Sequence, residues 1–374
     1  MRILALEPYH GGSHAAFLAG WSSRSRHEWT VMPLPPFKWK WRMRHGAITL
    51  AEAVTRASKT GQYWDVLLCS DMLNLAEFRG LAPETVRRLP TVAYFHENQL
   101  TYPVRHESER DYHFVLTNLT TALAAEAVWF NSAFHRDSFL DALPVFLKRM
   151  PDHQPYETVE DIRAKAAIRP PGIDPLPPRS SRAAGPMRLL WAARWEHDKN
   201  PETFLAALDL LDRAAVPFRL SILGEQFREY PVVFDEIRVR WEDRIDHWGY
   251  QPDRQAYEQV LCTADVIVSS ALHEFFGLSV VEAVAAGGYP LLPRRLAYPE
   301  LFASAGIEDA APFLYDGSAE DLAGCLRRLA GKLQKEGHVC PSAELAESFA
   351  QRYGWDALAT AYDEAIEALV KRAS

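Results

Sequence analysis

The chain has 374 residues, 48% of them hydrophobic and 24% charged, with a formal net charge of −8; this is about twice a typical single-domain length, so two domains are expected. No apolar run reaches the roughly 18–20 residues of a membrane-spanning helix, and Met1–Leu6 leads into Glu7-Pro8 without a cleavage pattern, so the chain reads as cytoplasmic with no membrane partner. The four cysteines at 69, 262, 325 and 340 have the spacing of neither a metal site nor a disulfide framework, which sets those classes aside.

Taken in order, the first apolar run is RILALE (2–7), followed by Glu7-Pro8-Tyr9-His10-Gly11-Gly12-Ser13-His14. Adjacent Gly11 and Gly12 let a backbone come close to a phosphate or sugar, although the spacing is not that of a dinucleotide fingerprint or a Walker loop. FKWKWRMRH (37–45) comes next, behind Pro33, Pro35 and Pro36. Read as an exposed loop or strand, it puts Trp39 and Trp41 on one face and Lys38, Lys40, Arg42 and Arg44 on the other. The runs DVLLCS (65–70), TVAYF (91–95) and AVWFNS (127–132) read as further strands, and TVAYF ends on His96-Glu97-Asn98-Gln99.

A proline-rich stretch at 169–186 resists helix and central strand and reads as a linker. Beyond it the rhythm restarts with MRLLWAAR, FRLSILG, RIDHWGY, DVIVSSA and YPLLP, each run separated by helix-like periodicity. The alternation predicts an α/β protein of two Rossmann-like, doubly wound parallel-sheet domains facing across a ligand cleft. The boundaries fall at 1–175 and 176–345, with 346–374 a terminal segment; one amphipathic helix over roughly 342–370 could pack back across either domain. Residues 1–180 hold 21 Lys and Arg against 19 Asp and Glu, and the remainder 20 against 30, so a polyanion is expected on the first half.

Two segments of the second half carry chemistry. Arg194-Trp195-Glu196-His197-Asp198-Lys199-Asn200-Pro201 follows a strand and opens a helix, with Asn200 the expected cap and Pro201 in the first turn. In Val268–Ala283 a strand ends near Ser269, Glu274 stands in a loop, a helix begins near Gly277, and Glu282 lies on its flank. The N–H groups of Phe276, Gly277 and Leu278 at that helix start favour a diphosphate, and Arg194 and Lys199 would neutralise it. Leu223-Gly224-Glu225 and Gly249-Tyr250 are placed at a base pocket. No Asp-x-Asp element occurs anywhere, which fits diphosphate stabilisation by cations and helix ends with no metal at the active site.

Together these residues resemble the retaining glycosyltransferases of family four, which have the GT-B fold: the Glu-x7-Glu element at Glu274 and Glu282, the Arg194…Lys199 pair, the Gly11-Gly12 turn and Pro171–Asp174 all match. A narrower resemblance, carried by GGSH (11–14), PFKWKWRMR (36–44), YFHENQLTYPV (94–104), ERDYHF (109–114), FNSAFHRDSF (130–139) and HEFFG (273–277), is to the tRNA-queuosine α-mannosyltransferase family. It implies GDP-mannose as donor and queuosine at the wobble position of aspartate tRNA as acceptor, a tRNA and a nucleotide sugar being the partners.

Carried over, the family pattern gives Arg194 and Lys199 the diphosphate and Glu282 the ribose hydroxyls. It gives the sugar to Glu274 with the amides of Phe275 to Leu278, and puts His96 near the transferred sugar. Phe275 stands where relatives often have glycine or serine. The donor side then comprises Gly11, Gly12, Gly224, Glu225, Gly249, Tyr250, Phe275, Phe276, Gly277, Leu278 and Glu282. The acceptor side comprises His14, Lys38, Trp39, Lys40, Trp41, Arg42, Arg44, Glu97, Asn98 and Gln99.

Cations for phosphates and flat rings for unstacked bases are what a single-stranded RNA loop requires of the 37–45 segment; plain packing of the two tryptophans is the alternative on residues alone. A transferase of the same fold acting on a lipid or saccharide, and a catalytically silent RNA- or nucleotide-binding protein, are the rival readings of function.

Overall fold

The computed structural model describes residues 1–104, 110–177, 182, 184–226, 230–339 and 343–373. The chain divides into two compact units, Met1–Gly172 with Trp355–Ser374, and Ile173–Gly354.

The first unit holds β1 (Arg2–Glu7), β2 (Glu28–Pro33), β3 (Val66–Ser70), β4 (Thr91–Phe95), β5 (Ala127–Phe130) and β6 (Ala166–Ile168) in one sheet of order β2-β1-β3-β4-β5-β6. Every pairing is parallel. Such a sheet is covered on both faces, which is why β3 and β4 are apolar and buried along their whole length. Alternate residues feed two cores: Leu4, Leu6, Leu67, Cys69, Ala93 and Phe95 on one side, Ile3, Ala5, Val66, Leu68, Val92 and Tyr94 on the other.

The second unit repeats the design with β7 (Met187–Ala192), β8 (Phe218–Leu223), β9 (Ile245–Gly249), β10 (Val266–Val268), β11 (Tyr289–Pro293) and β12 (Leu314–Tyr315), in the order β12-β11-β10-β7-β8-β9, again all parallel. In each sheet the strand order reverses once, between β1 and β3 and between β7 and β10. Those are the points where carboxyl-end loops part and leave room for a ligand.

The predicted strands are present; β2, β6 and β12 were not predicted. β2 and β12 are sheet edges, and β6 and β12 are three and two residues long, too short for a period to register. The proline-rich stretch carries Ile173 and Leu176 into the second core, while 178–181 and 183 lie outside the described residues.

The boundaries differ from the predicted ones because the chain passes between units at Gly172/Ile173 and at Gly354/Trp355. There is no single helix over 342–370: two helices, Ala343–Tyr353 and Trp355–Ala373, meet at Gly354. A Cβ at Gly354 would lie 2.6 Å from the carbonyl oxygen of Ala350, and that crowding is relieved only by glycine. Phe349 and Tyr353 belong to the core of the second unit. Trp355, Leu358, Ala359, Tyr362 and Ile366 cover the β1-side core of the first. There the Trp21 indole N–H donates to Asp363 Oδ1 (2.9 Å) and the Tyr362 hydroxyl donates to the Pro170 carbonyl. Gly20 and Gly172 exist for this packing, since a Cβ on either would fall within 2.1–2.3 Å of the Trp355 ring.

The 37–45 segment is helical, contrary to the extended reading. The helix Trp39–Lys59 buries Met43, Gly46, Ala47, Leu50, Ala51 and Val54, a stripe of helical period that half-buried Trp39 extends by one turn while Trp41 stays exposed. Lys38, left-handed at φ 54°, turns the chain from the prolines into the helix.

Candidate active site

The carboxyl ends of β7, β8, β9 and β10 gather the second unit's predicted residues. Residues 193–195 run beside 223–225, with the Ala193 N–H on Leu223 O (3.1 Å) and the Trp195 N–H on Glu225 O (3.1 Å), and the Gly224 N–H donates to Gly249 O (3.3 Å). Gly224 allows the approach: at φ 148° a Cβ would sit 1.8 Å from Ala193 O. So Arg194, Gly224, Glu225 and Gly249 share one rim, while the Tyr250 ring is exposed beside it.

Lys199 is buried at the centre. Its Nζ donates to His273 O (2.8 Å) and lies 3.1 Å from Asp198 Oδ2 and 3.4 Å from Glu274 Oε2. Burial opposes its charge, but Glu274 and then Asp198 outweigh it, so the ammonium is held more firmly than in water. Glu274 stays ionised for the reciprocal reason: burial pushes its carboxyl up, while Lys199, His273, the Phe276 N–H and Arg194 pull it below the usual range. Arg194 stands at the mouth, partly exposed, 3.3 Å from Glu196. Burial, with Lys199 next, lowers His273 to about 4, so it is neutral at pH 7.

The helix Leu278–Ala285 follows a left-handed Gly277, φ 93°, where a Cβ would come within 3.1 Å of the Tyr298 ring. The first-turn amides, Leu278 and Ser279 among them, have no acceptor within the helix. The Phe276 N–H does not join them, because it is turned onto Glu274 Oε1 (3.4 Å). Phe275 and Phe276 are themselves buried. A narrow crevice beneath is lined by Trp191, Lys199, Ser269, Glu274, Ser279 and Tyr298.

Glu282 lies on the helix flank, buried. Arg254 Nη1 donates to one of its oxygens (2.6 Å) and the Tyr257 hydroxyl to the other (2.9 Å). Burial raises its pKa in spite of both partners, yet the guanidinium beside it remains a cation and the pair is ionic. Asn200 does not cap in the predicted way: it is left-handed at φ 50°, its amide donates to Thr203 Oγ1 (2.8 Å), and Pro201 alone supplies the expected helix start.

In the first unit the strand ends of β1, β3 and β4 meet. Glu7, at 2% exposure, accepts from the Tyr9 N–H (2.8 Å), the Ser70 hydroxyl (3.0 Å) and His14 Nδ1 (3.1 Å). The His14 ring lies on that of His96, centroids 3.9 Å apart and 27° from parallel, and Asp71 Oδ1 accepts the His96 N–H (2.9 Å). Burial disfavours charge on His14, but Glu7, through charge and hydrogen bond, then Asp71 and Glu97, push it up to about 9. His96, disfavoured by burial and then by the neighbouring His14 and His135, falls well below the ordinary range and is neutral. Among the described residues Glu7, His14 and His96 are also the grouping with ligand atoms close enough, all within 4.8 Å, to hold a cation.

His14 is therefore buried, contrary to its placement on an RNA-facing surface; its place is behind His96. Asn98 is corrected too: it is wholly buried, and its Oδ1 accepts the N–H of Leu100 (3.1 Å) and Thr101 (2.8 Å), so it shapes the loop and meets no ligand. Glu97 and Gln99 sit on that loop at intermediate burial, the Gln99 amide donating to Glu97 Oε1 (2.9 Å). Gly11 is packed, a Cβ there falling 2.5 Å from Pro36, whereas Gly12, φ 52°, has open space above it.

Lys38, just before the helix Trp39–Lys59, and Lys40, Trp41 and Arg44 in its first turns are exposed, and among the described residues none of the three cations is in an ion pair. Arg42 is spent locally, donating to Pro35 O (3.0 Å) and lying 2.7 Å from His45 Nε2. Trp39 is half-buried against Phe114 (5.2 Å). Arg254, Tyr257, Glu7, Asp71 and Tyr298 are site residues the sequence reading missed. For Glu7 and Asp71 a signal existed, an acid closing an apolar strand; for Arg254, 28 residues from its partner, there was none.

Residues 2–173 match the family described as tRNA-queuosine alpha-mannosyltransferase N-terminal, and residues 175–330 match glycosyl transferases group 1. The chain is 35% identical over 312 residues to a tRNA-queuosine alpha-mannosyltransferase of Drosophila melanogaster, spanning 80% of this chain and 81% of the relative. It is 29% identical over 178 residues to a GDP-mannose-dependent alpha-(1-6)-phosphatidylinositol dimannoside mannosyltransferase of Mycobacterium tuberculosis, 46% of this chain and 43% of that one. Among solved structures, Anabaena HepE in complex with UDP superposes with TM-score 0.69 at 16% identity over 98% of this chain and 100% of the other. A sucrose-phosphate synthase from Thermosynechococcus elongatus does so at 0.70 and 14%, with all of both chains covered. These last two show the fold, which is that of GT-B enzymes.

Proposed function

This chain belongs to the tRNA-queuosine α-mannosyltransferase family, a hexosyltransferase family, and from that premise we propose that it transfers mannose from GDP-mannose to the queuosine of aspartate tRNA, with retention of anomeric configuration. The observation that carries the donor half is the buried Lys199 held between Glu274, Asp198 and the His273 carbonyl at the start of the 278–285 helix. A diphosphate arriving there meets an ammonium, the Arg194 guanidinium and first-turn amides. It needs no reorganisation of those charges as the bond to the sugar breaks.

Glu282 is already oriented by Arg254 and Tyr257, and its remaining lone pairs accept from ribose hydroxyls. Glu274, fixed as a carboxylate, accepts from sugar hydroxyls. Gly224, Glu225, Gly249 and Tyr250 receive the base, and in the first unit Gly12 offers an open backbone to a phosphate or sugar. His96 is neutral and so can accept or donate a hydrogen bond at the transferred sugar.

In the step itself the anomeric carbon loses its bond to the departing phosphate oxygen and gains one to the acceptor hydroxyl oxygen on the same face. The hydroxyl proton passes to that phosphate oxygen. No protein nucleophile is used, and isolation of a glycosyl-enzyme adduct would overturn this. The acceptor half rests on Lys38, Lys40, Arg44 and Trp41, exposed on one helix of the first unit. Mass analysis of the wobble nucleoside of aspartate tRNA after incubation with GDP-mannose tests the whole reading: gain of one hexose supports it, and an unchanged nucleoside refutes it.

A further inference from the structure

Two helices of the first unit, Trp39–Lys59 and Tyr112–Ala124, start beside a cavity of about 410 Å³ whose lining includes Trp39, Lys40, Gln99, Tyr102, Asp111 and Phe114. Its volume is within the range of small-molecule pockets and exceeds what a lone base needs. Three of these six residues are aromatic, and flat π-faces of this kind stack unpaired bases whatever their sequence. The wall is tied together by Arg110, itself part of the lining, whose Nη1 donates to Gln99 O (2.9 Å) and Tyr102 O (3.0 Å), and by Asn118, whose Oδ1 accepts the Gln99 N–H (2.7 Å).

The charge pattern decides what goes in. Lys38, Lys40 and Arg44 stand around the same helix start, suited to phosphates; within the cavity wall Lys40 and Arg110 are the cations, Arg110 being committed to two loop carbonyls, and Asp111 is the one acid among the lining residues. Its Oδ1 accepts the His113 N–H (3.0 Å) as helix cap, and a carboxylate has further lone pairs on both oxygens. A carboxylate matches the guanine-type edge, whose ring N–H and exocyclic amine point the same way; adenine, cytosine and uracil do not present two parallel N–H groups on that edge.

We propose that this cavity is a base-recognition site that takes a guanine-type nucleobase, 7-deazaguanine included, unstacked from the anticodon loop, with its ring against the aromatic wall and its N–H edge on the Asp111 carboxylate. The proposal rests on the tRNA reading above and names the contact by which the acceptor is chosen. The cavity shares the 96–104 loop with His96, so a base seated there belongs to the same loop cluster as the group placed at the transferred sugar.

The test is binding of fluorescent anticodon stem-loop RNA to the full chain, with guanine or inosine at the wobble position, inosine lacking only the exocyclic amine. Loss of one hydrogen bond to a charged group should weaken binding about tenfold for inosine. Asp111→Asn keeps the helix cap, since Asn caps as well as Asp; it should weaken the guanine loop and abolish the discrimination. Trp39→Leu should weaken both loops alike, and a thermal melt distinguishes this from unfolding. If the wild type binds both loops equally well, or Asp111→Asn discriminates as the wild type does, the base site is refuted and the tRNA reading stands. If the wild type binds neither loop and does not glycosylate tRNA, the tRNA reading itself falls and the site with it.

Discussion

The His14 and His96 rings lie face to face at 3.9 Å with opposite ionisation, an imidazolium held by Glu7 against a neutral imidazole whose charging the first one opposes. The pair converts a buried acid at the end of β1 into a fixed protonation state at the end of β4. Its surroundings are Glu7, Asp71, Glu97 and His135, and their titration gives the first expectation.

His14 keeps its proton in the folded unit up to about pH 9 against an ordinary 6.5. A raised histidine stabilises fully below the unfolded value, and the stabilisation is lost as pH rises through the folded one. Asp71, pushed up to about 8 mainly by burial, works in the same direction, because the fold favours its protonated form. Melting temperature should therefore fall as pH rises from about 6.5 to 9. Glu7→Gln should lower stability at pH 6.5 and flatten that decline; parallel melting curves for variant and wild type would contradict the assignment.

Lys199 and Arg194 should separate under mutation. Lys199→Met leaves Glu274 and Asp198 without their buried cation, an uncompensated-charge cost of about 3 kcal/mol, and lowers kcat by about 10²–10³. Arg194→Ala removes a partly exposed side chain and should leave stability within about 0.5 kcal/mol while also lowering kcat. Melting curves read beside single-turnover rates check both; equal destabilisation by the two changes would be the wrong result.

Arg254 is 46% exposed and Glu282 8%, so their pair lies between a surface and a buried ion pair. Arg254→Ala should cost about 1–3 kcal/mol, largely by stranding the carboxylate. Glu282→Gln should cost less and raise the donor KM. A double-mutant cycle with Glu282→Gln should give a coupling of about 1 kcal/mol or more; additivity would mean the two do not act together.

Lys38→Ala with Lys40→Ala should raise the KM for tRNA strongly and leave GDP-mannose hydrolysis unchanged. If each lysine meets one phosphate, the slope of log affinity against log salt should fall by about 2. An unaltered slope would remove the RNA role from the 39–59 helix.

How far the sequence carried is clearest at two places. Strands such as TVAYF and DVLLCS were legible because a parallel strand covered on both faces is apolar throughout, and the acids and cations at their carboxyl ends follow from the topology. The segment 37–45 was misread because its own alternation has period two, while most of the stripe that makes it helical, from Gly46 to Val54, lies after it and only Met43 within it. Partners that come from elsewhere in the chain, such as Arg254 for Glu282 or Asp71 for the His96 amide, leave no local pattern. Only the folded sheet brings them together.

The return of the last helix to the first unit bears on how the protein is made. Trp355, Leu358, Tyr362 and Ile366 cover the sheet face built by Ile3, Val66, Val92 and Trp129, so a nascent chain on the ribosome carries that face bare while the whole of residues 173–354 is synthesised. The intervening unit can close on its own before the flanking one is complete. Emergence of residues 355–373 is thus the event that seals the first unit, and a truncation before Trp355 would leave an aggregation-prone surface on it.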